Sequence, residues 1–436
     1  MFNNYKQERY IDHFSFKKAT SEKILNFGIF LIFVLLFSRD FIGIDYNKFF
    51  LVGIVALIGC FLSYSDLIVF SAFLVPLSCG MPNNYNFMIL LILLCLKKDN
   101  CNIFQLIFPL IIVAQEWILA LFTLNQDFFE LIAYSINLFL TLFLILDNSS
   151  QKIDYKKVVL YFLYSTSFML SMIFLISVKQ YSLSKILLGG YRIGVTKTED
   201  VSILKLSTNA NTIGFYALLS VSICLYFLKT TKLKLSIIAL LLLNGVIGLF
   251  SLSRSYLLFL LIVLFLFLLT EKKLNFNRLI FMIGSIFILG CLFYLLNTKT
   301  DIFSAYLERF LDSDVTTGNK RTEIMMEYFN WLFNRPLRLL FGTGVHNHLE
   351  TTGLVATHNG IQQIMVCYGV IGLVIFAFVF IKAFYFAKKG RCEFVTYLPL
   401  LAIFLFVQTV QYLDPYEYFM SSIVGFYAIR AIGARS

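Results

Sequence analysis

The stretch from Thr317 to Leu373 is a long polar interruption between apolar segments of the chain. It begins TGNKRTEIMMEYFNWLF (317–333), continues RPLRLLFGTGVHNHLE (335–350) and ends THNGIQQIMVCYGVIGL (357–373). Three of the four histidines and four basic residues lie in it: His346, His348, His358, Lys320, Arg321, Arg335 and Arg338. The chain then re-enters an apolar run, so the stretch predicts a site where water meets a bundle of helices.

The composition indicates that lipid is the main solvent of this chain. Of its 436 residues, 59% are hydrophobic and 14% are charged, whereas a water-facing surface needs roughly a quarter or more charged residues. The net charge of +11 does not indicate a nucleic-acid partner, because the basic residues fall in short segments between apolar runs and contact anionic lipid there. The eight cysteines form no CxxC pair, so no thiol chemistry is expected.

The apolar runs predict an all-α, polytopic integral membrane protein, with residues 1–436 forming a single transmembrane helical domain. A spanning helix needs about 20 apolar residues, and about fourteen candidates are present. The third and fourth are short, so about twelve spans plus a re-entrant hairpin is the alternative. The candidates are 24–38, 47–64, 66–79, 85–97, 103–124, 128–146, 158–178, 210–228, 234–251, 255–270, 278–296, 360–387, 394–413 and 416–432.

The basic residues predict the orientation of the chain. Short loops on one side hold only Arg39, Lys48 and Arg254, while the segments on the other side carry two or more cations each. This bias predicts that both termini are cytoplasmic. Two long segments, 179–209 and 297–359, then form the outer face. Neither GxxxxGK[ST] nor GxGxxG occurs, so neither ATP nor a dinucleotide is indicated.

Two residues at the outer ends of predicted spans are candidates for chemistry. His358 lies where the long loop meets the next apolar run, and the near-neutral pKa of histidine suits proton transfer; the alternative is an ordinary loop histidine. Arg254 stands between apolar flanks in SLSRSYLL, where a guanidinium is costly unless it faces a polar cavity or extends to the interface. Two roles of Arg254 therefore stay open: it binds an anion, or it extends its charged end to the membrane interface.

Arg321 begins an amphipathic pattern that predicts a helix along the outer membrane surface. Its apolar positions at helical spacing are Ile324, Met325, Tyr328, Phe329, Leu332 and Phe333, and Trp331 adds an interface-seeking ring. Arg321 is either an anion ligand or a solvated residue of the first turn.

In the first long loop, Gly189-Gly190 permits a sharp turn before Arg192. Asn209 and Asn211 precede a span, as part of a helix cap or as groups that hold phosphate or sugar hydroxyls. His346, His348, Glu350 and His358 fit no standard zinc spacing, so neither a metal nor a cofactor is expected. Gly369-x-x-Gly372 predicts close packing between helices through small residues.

Several motifs in order resemble the O-antigen ligase and O-antigen polymerase superfamily of bacterial envelopes. The first is His358-Asn359 followed after nine residues by Gly369-Val370-Ile371-Gly372. Gly318 with Arg321 resembles the family's "GR…W" start, and Arg335-Pro336 with Phe341-Gly342-Thr343-Gly344 resembles its "P…FGxG" turn. Ser253-Arg254 resembles its "SR" pair. Arg192 with Asn209-Ala210-Asn211 resembles the loop where a "DPN"-like motif is usual. The resemblance covers roughly residues 185–385.

The resemblance implies a metal-independent glycosyltransferase of the membrane-embedded C-type fold. It implies a glycan donor on undecaprenyl pyrophosphate, presented at the outer leaflet of the bacterial inner membrane. Arg254 and Arg321 would stabilise charge on the departing pyrophosphate, and His358 would act as the base. The expected substrate-binding residues are Arg192, Asn209, Asn211, Asn359, His346, His348 and Arg335.

Three activities remain open at this stage. A polymerase would transfer the growing glycan to the next lipid-linked repeat unit, with a chain-length regulator as a further candidate partner. An O-antigen ligase would transfer the finished glycan to lipid A-core. A flippase would carry charged residues along a central cavity and mostly short loops, whereas the polar residues here concentrate in two long loops. The span count and the divergent loop favour the polymerase, although the histidine signature is shared with the ligase.

Overall fold

The computed structural model describes most of the chain as helices. The described residues are 2–81, 83–99, 101–122, 128–148, 153–187, 191–194, 210–231, 234–269, 301, 304, 321–345, 348–388, 393–413 and 417–433. Helices and turns, without strands, make up all of these ranges, which confirms the all-α prediction.

The described residues contain eighteen α-helices, numbered here in chain order. They are α1 (Phe2–Phe37), α2 (Lys48–Phe61), α3 (Tyr64–Leu74), α4 (Asn83–Lys97), α5 (Ile103–Ala120), α6 (Phe128–Ile145), α7 (Tyr155–Tyr181), α8 (Leu183–Leu187), α9 (Ala210–Thr230), α10 (Lys234–Phe250), α11 (Arg254–Leu269), α12 (Arg321–Phe333), α13 (Pro336–Phe341), α14 (His348–Thr352), α15 (Gly360–Ala387), α16 (Leu398–Val407), α17 (Glu417–Met420) and α18 (Ser422–Gly433), within the described ranges.

In the part of the chain that the structure describes, six helices are long and apolar enough to cross a membrane: Thr20–Ile42, Ile103–Ala120, Phe128–Ile145, Tyr155–Tyr181, Ala210–Thr230 and Gly360–Ala387. Shorter apolar helices coincide with predicted spans at 47–64, 66–79, 85–97, 234–251 and 255–270. The protein is therefore a multi-pass membrane protein. The span at 278–296 lies outside the described residues, and the count of fourteen and the orientation of the termini stay predictions.

The predicted span 394–413 is wrong over its last six residues, 408–413, which are not helical. α16 ends at Val407, because the chain after it turns away to meet α15. The backbone N–H groups of Tyr412 and Leu413 donate to Oε1 of Gln363, at 2.6 and 2.8 Å. A buried glutamine side chain thus replaces the helical partners of these two amides.

α9 lies at the centre of the bundle and packs against α7, α10, α11 and α16. Nearly all of its residues from Ala210 to Phe227 are buried. One end of the bundle is fastened by a buried ion pair between Lys98 and Asp147, at 2.8 Å and with neither side chain exposed. The guanidinium of Arg430 donates to the backbone carbonyls of Ile145 and Asp147 beside this pair. The C-terminal helix α18 is thereby fixed to the end of α6.

α15 breaks in its middle at Gly369, which has φ 67° and ψ −169°. The predicted close packing is present at Gly369, against Leu340 of α13, but the break of the helix at this residue was not predicted. A Cβ on Gly369 would overlap the backbone carbonyl of Leu340, and one on Gly342 would overlap the backbone of Cys367. The two glycines therefore let the loop 341–345 lie against the backbone of the broken helix.

The break leaves carbonyl groups in α15 without helical partners, and the neighbouring chain supplies donors. The amides of Thr343 and Gly344 donate to Val366 and Cys367, at 3.0 and 2.7 Å. Nε2 of Gln115 on α5 donates to the carbonyls of Tyr368, at 3.0 Å, and Phe341, at 2.8 Å. We call this set of contacts the loop latch.

Substitution at Gly369 should disrupt the loop latch. We expect Gly369→Ala to destabilise the protein by at least about 2 kcal/mol, because Ala does not tolerate φ 67° and its Cβ overlaps Leu340. Gly245→Ala in α10 is the matched control, since its Cβ would meet nothing within 4 Å and helix propensity favours Ala by about 0.5–1 kcal/mol. Thermal unfolding of both variants in detergent measures the difference; equal melting temperatures would contradict the role of the latch.

Candidate active site

Arg254 is the first residue of α11, and a tight turn after α10 places it there. Leu252 adopts a left-handed conformation with φ 52°, and the Ser253 hydroxyl accepts from the amide of Tyr256 at 3.4 Å, which caps the helix. The same hydroxyl donates to Oδ1 of Asn211 at the start of α9, at 3.2 Å. The starts of α9 and α11 are thus joined next to the guanidinium.

Arg321 is the first residue of α12, and the predicted amphipathic helix is confirmed over Arg321–Phe333. Tyr328 and Leu332 are completely buried against Val366 of α15. Gln362, on the first turn of α15, donates through Nε2 to the carbonyl of Met325 at 2.8 Å. α12 is therefore held against the segment of α15 that follows His358. Its position along a membrane surface stays a prediction.

His358 directly precedes the cap of α15 and has a left-handed backbone with φ 48°. Oδ1 of Asn359 accepts from the amides of Ile361 and Gln362, at 3.0 and 3.1 Å. These bonds satisfy the free N–H groups of the first turn. Asn359 therefore fixes the start of the helix and, with it, the position of the neighbouring imidazole; a direct contact between Asn359 and substrate stays a prediction.

Arg321 lies within electrostatic reach of both Arg254 and His358, although the three residues lie up to 104 positions apart in the sequence. Burial and then the nearby charge of Arg254 lower the pKa of Arg321. Burial and then the charge of Arg321 lower the pKa of His358. Both causes favour the neutral imidazole, which is the form that can accept a proton.

The cluster contains two arginine side chains. Within the described ranges, the ion pairs are Arg39–Asp40, Lys98–Asp147 and those of Lys157 with Glu22 and Asp66, so that Arg321 is paired with none of the described carboxylates. Two neighbouring guanidinium groups favour a bound anion that carries several oxygens. The described residues contain no group of three His, Cys, Asp or Glu side chains that could hold a metal ion.

The remaining predicted binding residues separate into three groups. Arg192 lies beside the turn of Arg254, and its Nε donates to the carbonyl of Ser251 at 3.4 Å. Arg335 is exposed and stacks on the Trp331 ring at 4.6 Å. It follows the far end of α12, a helix that extends roughly 18 Å from Arg321 to Phe333. His348 is buried, and its Nδ1 donates to the carbonyl of Val345 at 2.8 Å. Asn209 and His346 lie outside the described residues.

Sequence reasoning missed the residues that hold the site in place. Gln115 and Glu116 stand inside an apolar span, and both contact the loop latch. Oε2 of Glu116, which is almost fully buried, accepts from the amide of Val345 at 3.0 Å. Polar residues within a span are costly unless they have polar partners or a function. The position of Gln115 and Glu116 in an apolar run was therefore a sign that they matter. Gln362, at the start of a span, carried the same signal.

The fold and site define a multi-pass helical membrane protein with a cationic site and a neutral histidine at the ends of its helices. A family model described as O-antigen ligase matches residues 235–377, which is about a third of the chain. The match contains Arg254, Arg321 and His358 and confirms the resemblance to the O-antigen polymerase and ligase superfamily. No curated protein and no solved structure matches the chain.

Site-specific modification tests the electrostatics of His358. Diethylpyrocarbonate reacts with the neutral imidazole, so the pH dependence of labelling, resolved by peptide mass spectrometry, reports the pKa. We expect a midpoint below 6.5, because burial and Arg321 both disfavour the charged ring. Arg321→Gln should raise the midpoint by removing one of these causes. Arg335→Gln is the control and should leave it unchanged, since Arg335 stacks on Trp331. A wild-type midpoint at or above 6.5 would contradict this arrangement.

Proposed function

We propose that the protein is a surface polysaccharide polymerase of the O-antigen type. It transfers a growing glycan from undecaprenyl pyrophosphate to the next lipid-linked repeat unit at the outer face of the inner membrane. The observation that carries this proposal is the cluster of Arg254, Arg321 and His358, in which two cations adjoin a neutral base. The match to the O-antigen ligase family supports glycan transfer in general.

The chemistry of the transfer assigns a role to each member of the cluster. The bond between the anomeric carbon and the pyrophosphate oxygen breaks, and negative charge develops on the leaving group. Arg254 and Arg321 stabilise that charge, since a planar guanidinium donates two parallel hydrogen bonds to phosphate oxygens. The acceptor hydroxyl forms the new bond to the anomeric carbon, and its proton passes to His358. Arg192 assists from the neighbouring turn.

The bound pyrophosphate also changes the pKa of His358. In the free protein the charge of Arg321 lowers the pKa of His358. An anion placed between the arginines offsets this charge and raises the pKa of the imidazole, so His358 accepts a proton more readily when donor is bound. The acid limb of the pH profile should therefore lie at higher pH for kcat than for kcat/KM.

O-antigen ligase is the second candidate, because the family model that matches residues 235–377 carries that description. The same cluster would then transfer the finished glycan to lipid A-core. Donor, leaving group and base are common to both reactions, so the identity of the acceptor decides between them.

A glycan ladder from a deletion strain tests the function. We expect deletion to reduce the ladder to core plus one repeat unit, wild-type protein to restore it, and His358→Ala to fail at equal expression. Gly245→Ala serves as the control for expression and should restore the ladder, as its site is open. A bare core with long chains still on undecaprenyl pyrophosphate would indicate ligase, and an unchanged ladder in the deletion strain would exclude both activities.

Substitution of the arginines by lysine tests the pyrophosphate site. Lysine keeps the charge and loses the planar fork, so Arg254→Lys and Arg321→Lys should each lower kcat/KM by about tenfold to a hundredfold. Transfer by purified protein in nanodiscs, with native lipid-linked donor, measures the change. If both variants transferred at the wild-type rate, the assignment of the two arginines would be wrong.

A further inference from the structure

Two consecutive buried glutamines fasten the first turn of α15, which follows His358 in the chain. Gln362 and Gln363 are 4% and 0% exposed, although the residues after them are apolar. Successive residues of an α-helix point about 100° apart, so the two side chains leave the helix on different sides. A buried amide is costly unless it is hydrogen-bonded, and each glutamine bonds to the backbone of a different neighbouring element.

Gln362 meets α12 and acts as a hydrogen-bond donor. Its Nε2 donates to the carbonyl of Met325 at 2.8 Å, while its buried Oε1 has no hydrogen-bond partner within the described ranges. Met325 follows Arg321 by four residues. Gln362 follows His358 by the same number. Four residues advance a helix by about 6 Å. The bond therefore joins the two elements about one turn from each of these site residues.

Gln363 meets the segment 408–413 after α16, which we call the strap, and acts as a hydrogen-bond acceptor. Its Oε1 accepts from the amides of Tyr412 and Leu413, at 2.6 and 2.8 Å. Its buried Nε2 has no acceptor in the part of the chain that the structure describes. A Cβ on Gly360 would overlap the Cβ of Tyr412, so the strap lies directly against the first turn of α15. The strap sequence, QTVQYL, contains no charged residue.

The backbone of His358 depends on contacts of this kind. Its φ of 48° is left-handed, and a residue other than glycine keeps such a conformation where the surrounding structure fixes it. Asn359 caps the start of the helix, and the two glutamines then fasten the following turn to α12 and to the strap. We therefore expect the imidazole to move relative to its neighbours when either fastening is lost.

We propose that Gln362 and Gln363 are positioning residues for His358 with separate tasks. Gln362 sets the spacing between Arg321 and His358, whereas Gln363 fixes the turn of backbone from which the imidazole projects. Both side chains are buried, and neither is assigned a contact with the glycan. The consequence for transfer rests on the proposed glycosyltransferase function, whereas the consequence for the titration of His358 does not.

The bond of Gln362 holds a charged side chain close to His358, and the bonds of Gln363 do not. Burial and then the charge of Arg321 lower the pKa of His358. The charged or titratable side chains on the described elements around this turn are Arg254 on α11, Arg321, Glu323, Glu327 and Tyr328 on α12, and Tyr412 in the strap. Both glutamates are exposed. Loss of the Gln362 bond should move Arg321 away and raise the pKa of His358, whereas loss of the Gln363 bonds should leave that pKa unchanged.

The first test replaces each glutamine by methionine, which keeps the length of the side chain and removes the amide. Labelling with diethylpyrocarbonate across pH, on full-length protein in nanodiscs, gives the midpoint for His358. We expect Gln362→Met to raise the midpoint and Gln363→Met to leave it at the wild-type value. Gln105→Met is the matched control, because Gln105 is also fully buried and its Nε2 donates to the carbonyl of Phe143 at 2.9 Å. It should lower the melting temperature and leave the midpoint unchanged.

The second test uses glutamate, which has the shape of glutamine and, when ionised, keeps the acceptor oxygens but has no donor. Gln363→Glu retains the acceptor for Tyr412 and Leu413, so glycan transfer at alkaline pH should stay close to wild type. Gln363→Met should lower kcat about tenfold with KM nearly unchanged, because a small misplacement of a catalytic group is costly. Gln362→Glu loses the donor to Met325 and should lower transfer as Gln362→Met does.

Three results would overturn these roles. An unchanged midpoint in Gln362→Met at normal melting temperature would remove the spacing role, and Gln362→Leu gives the same test if the methionine variant does not fold. A midpoint raised equally by Gln105→Met would indicate general loosening and would also remove that role. Transfer by Gln363→Glu no better than by Gln363→Met would remove the acceptor role. A raised midpoint in Gln362→Met, in a protein whose wild type transfers no glycan, would disprove the proposed function and leave the spacing role intact.

Discussion

The broken helix α15 imposes the constraint that the rest of the site depends on. A backbone carbonyl without a partner in the hydrocarbon region costs several kcal/mol, so irregular backbone survives there only when neighbouring groups satisfy it. The carbonyls of Val366, Cys367 and Tyr368 are satisfied by the loop 341–345 and by Gln115. The loop, α12 and the first half of α15 are consequently one rigid piece. That piece carries both Arg321 and His358.

The described part of the molecule has two kinds of charged site. At the ends of α4 and α6, Lys98 meets Asp147 with both side chains fully buried, and such a closed pair has no capacity for a ligand. At the candidate site, Arg321 and Arg254 are close in space, and burial and then the charge of Arg254 lower the pKa of Arg321. Bringing two cations together costs free energy in the empty protein. A bound polyanion would offset this repulsion, in agreement with the proposed departure of pyrophosphate.

The sequence was informative where a feature depends on neighbouring residues. Run length predicted the long spans, and helical spacing predicted α12, because both are local properties. His358, Arg254 and Arg321 could be selected from their positions at the ends of apolar runs. The loop latch could not be predicted, since Gln115 meets its carbonyl partners 226 and 253 residues away. For the same reason the early end of α16, set by Gln363, was missed.

The long reach of the latch has a consequence for how the protein is made. The ribosome completes α5 well before it synthesises the loop 341–345 and α15, and the donors for the broken segment come from both. Until α15 meets α5 and the loop, the carbonyls of Val366, Cys367 and Tyr368 lack the partners that they have in the folded protein. The active site is accordingly a late product of membrane assembly, completed by lateral association of helices that were inserted at different times.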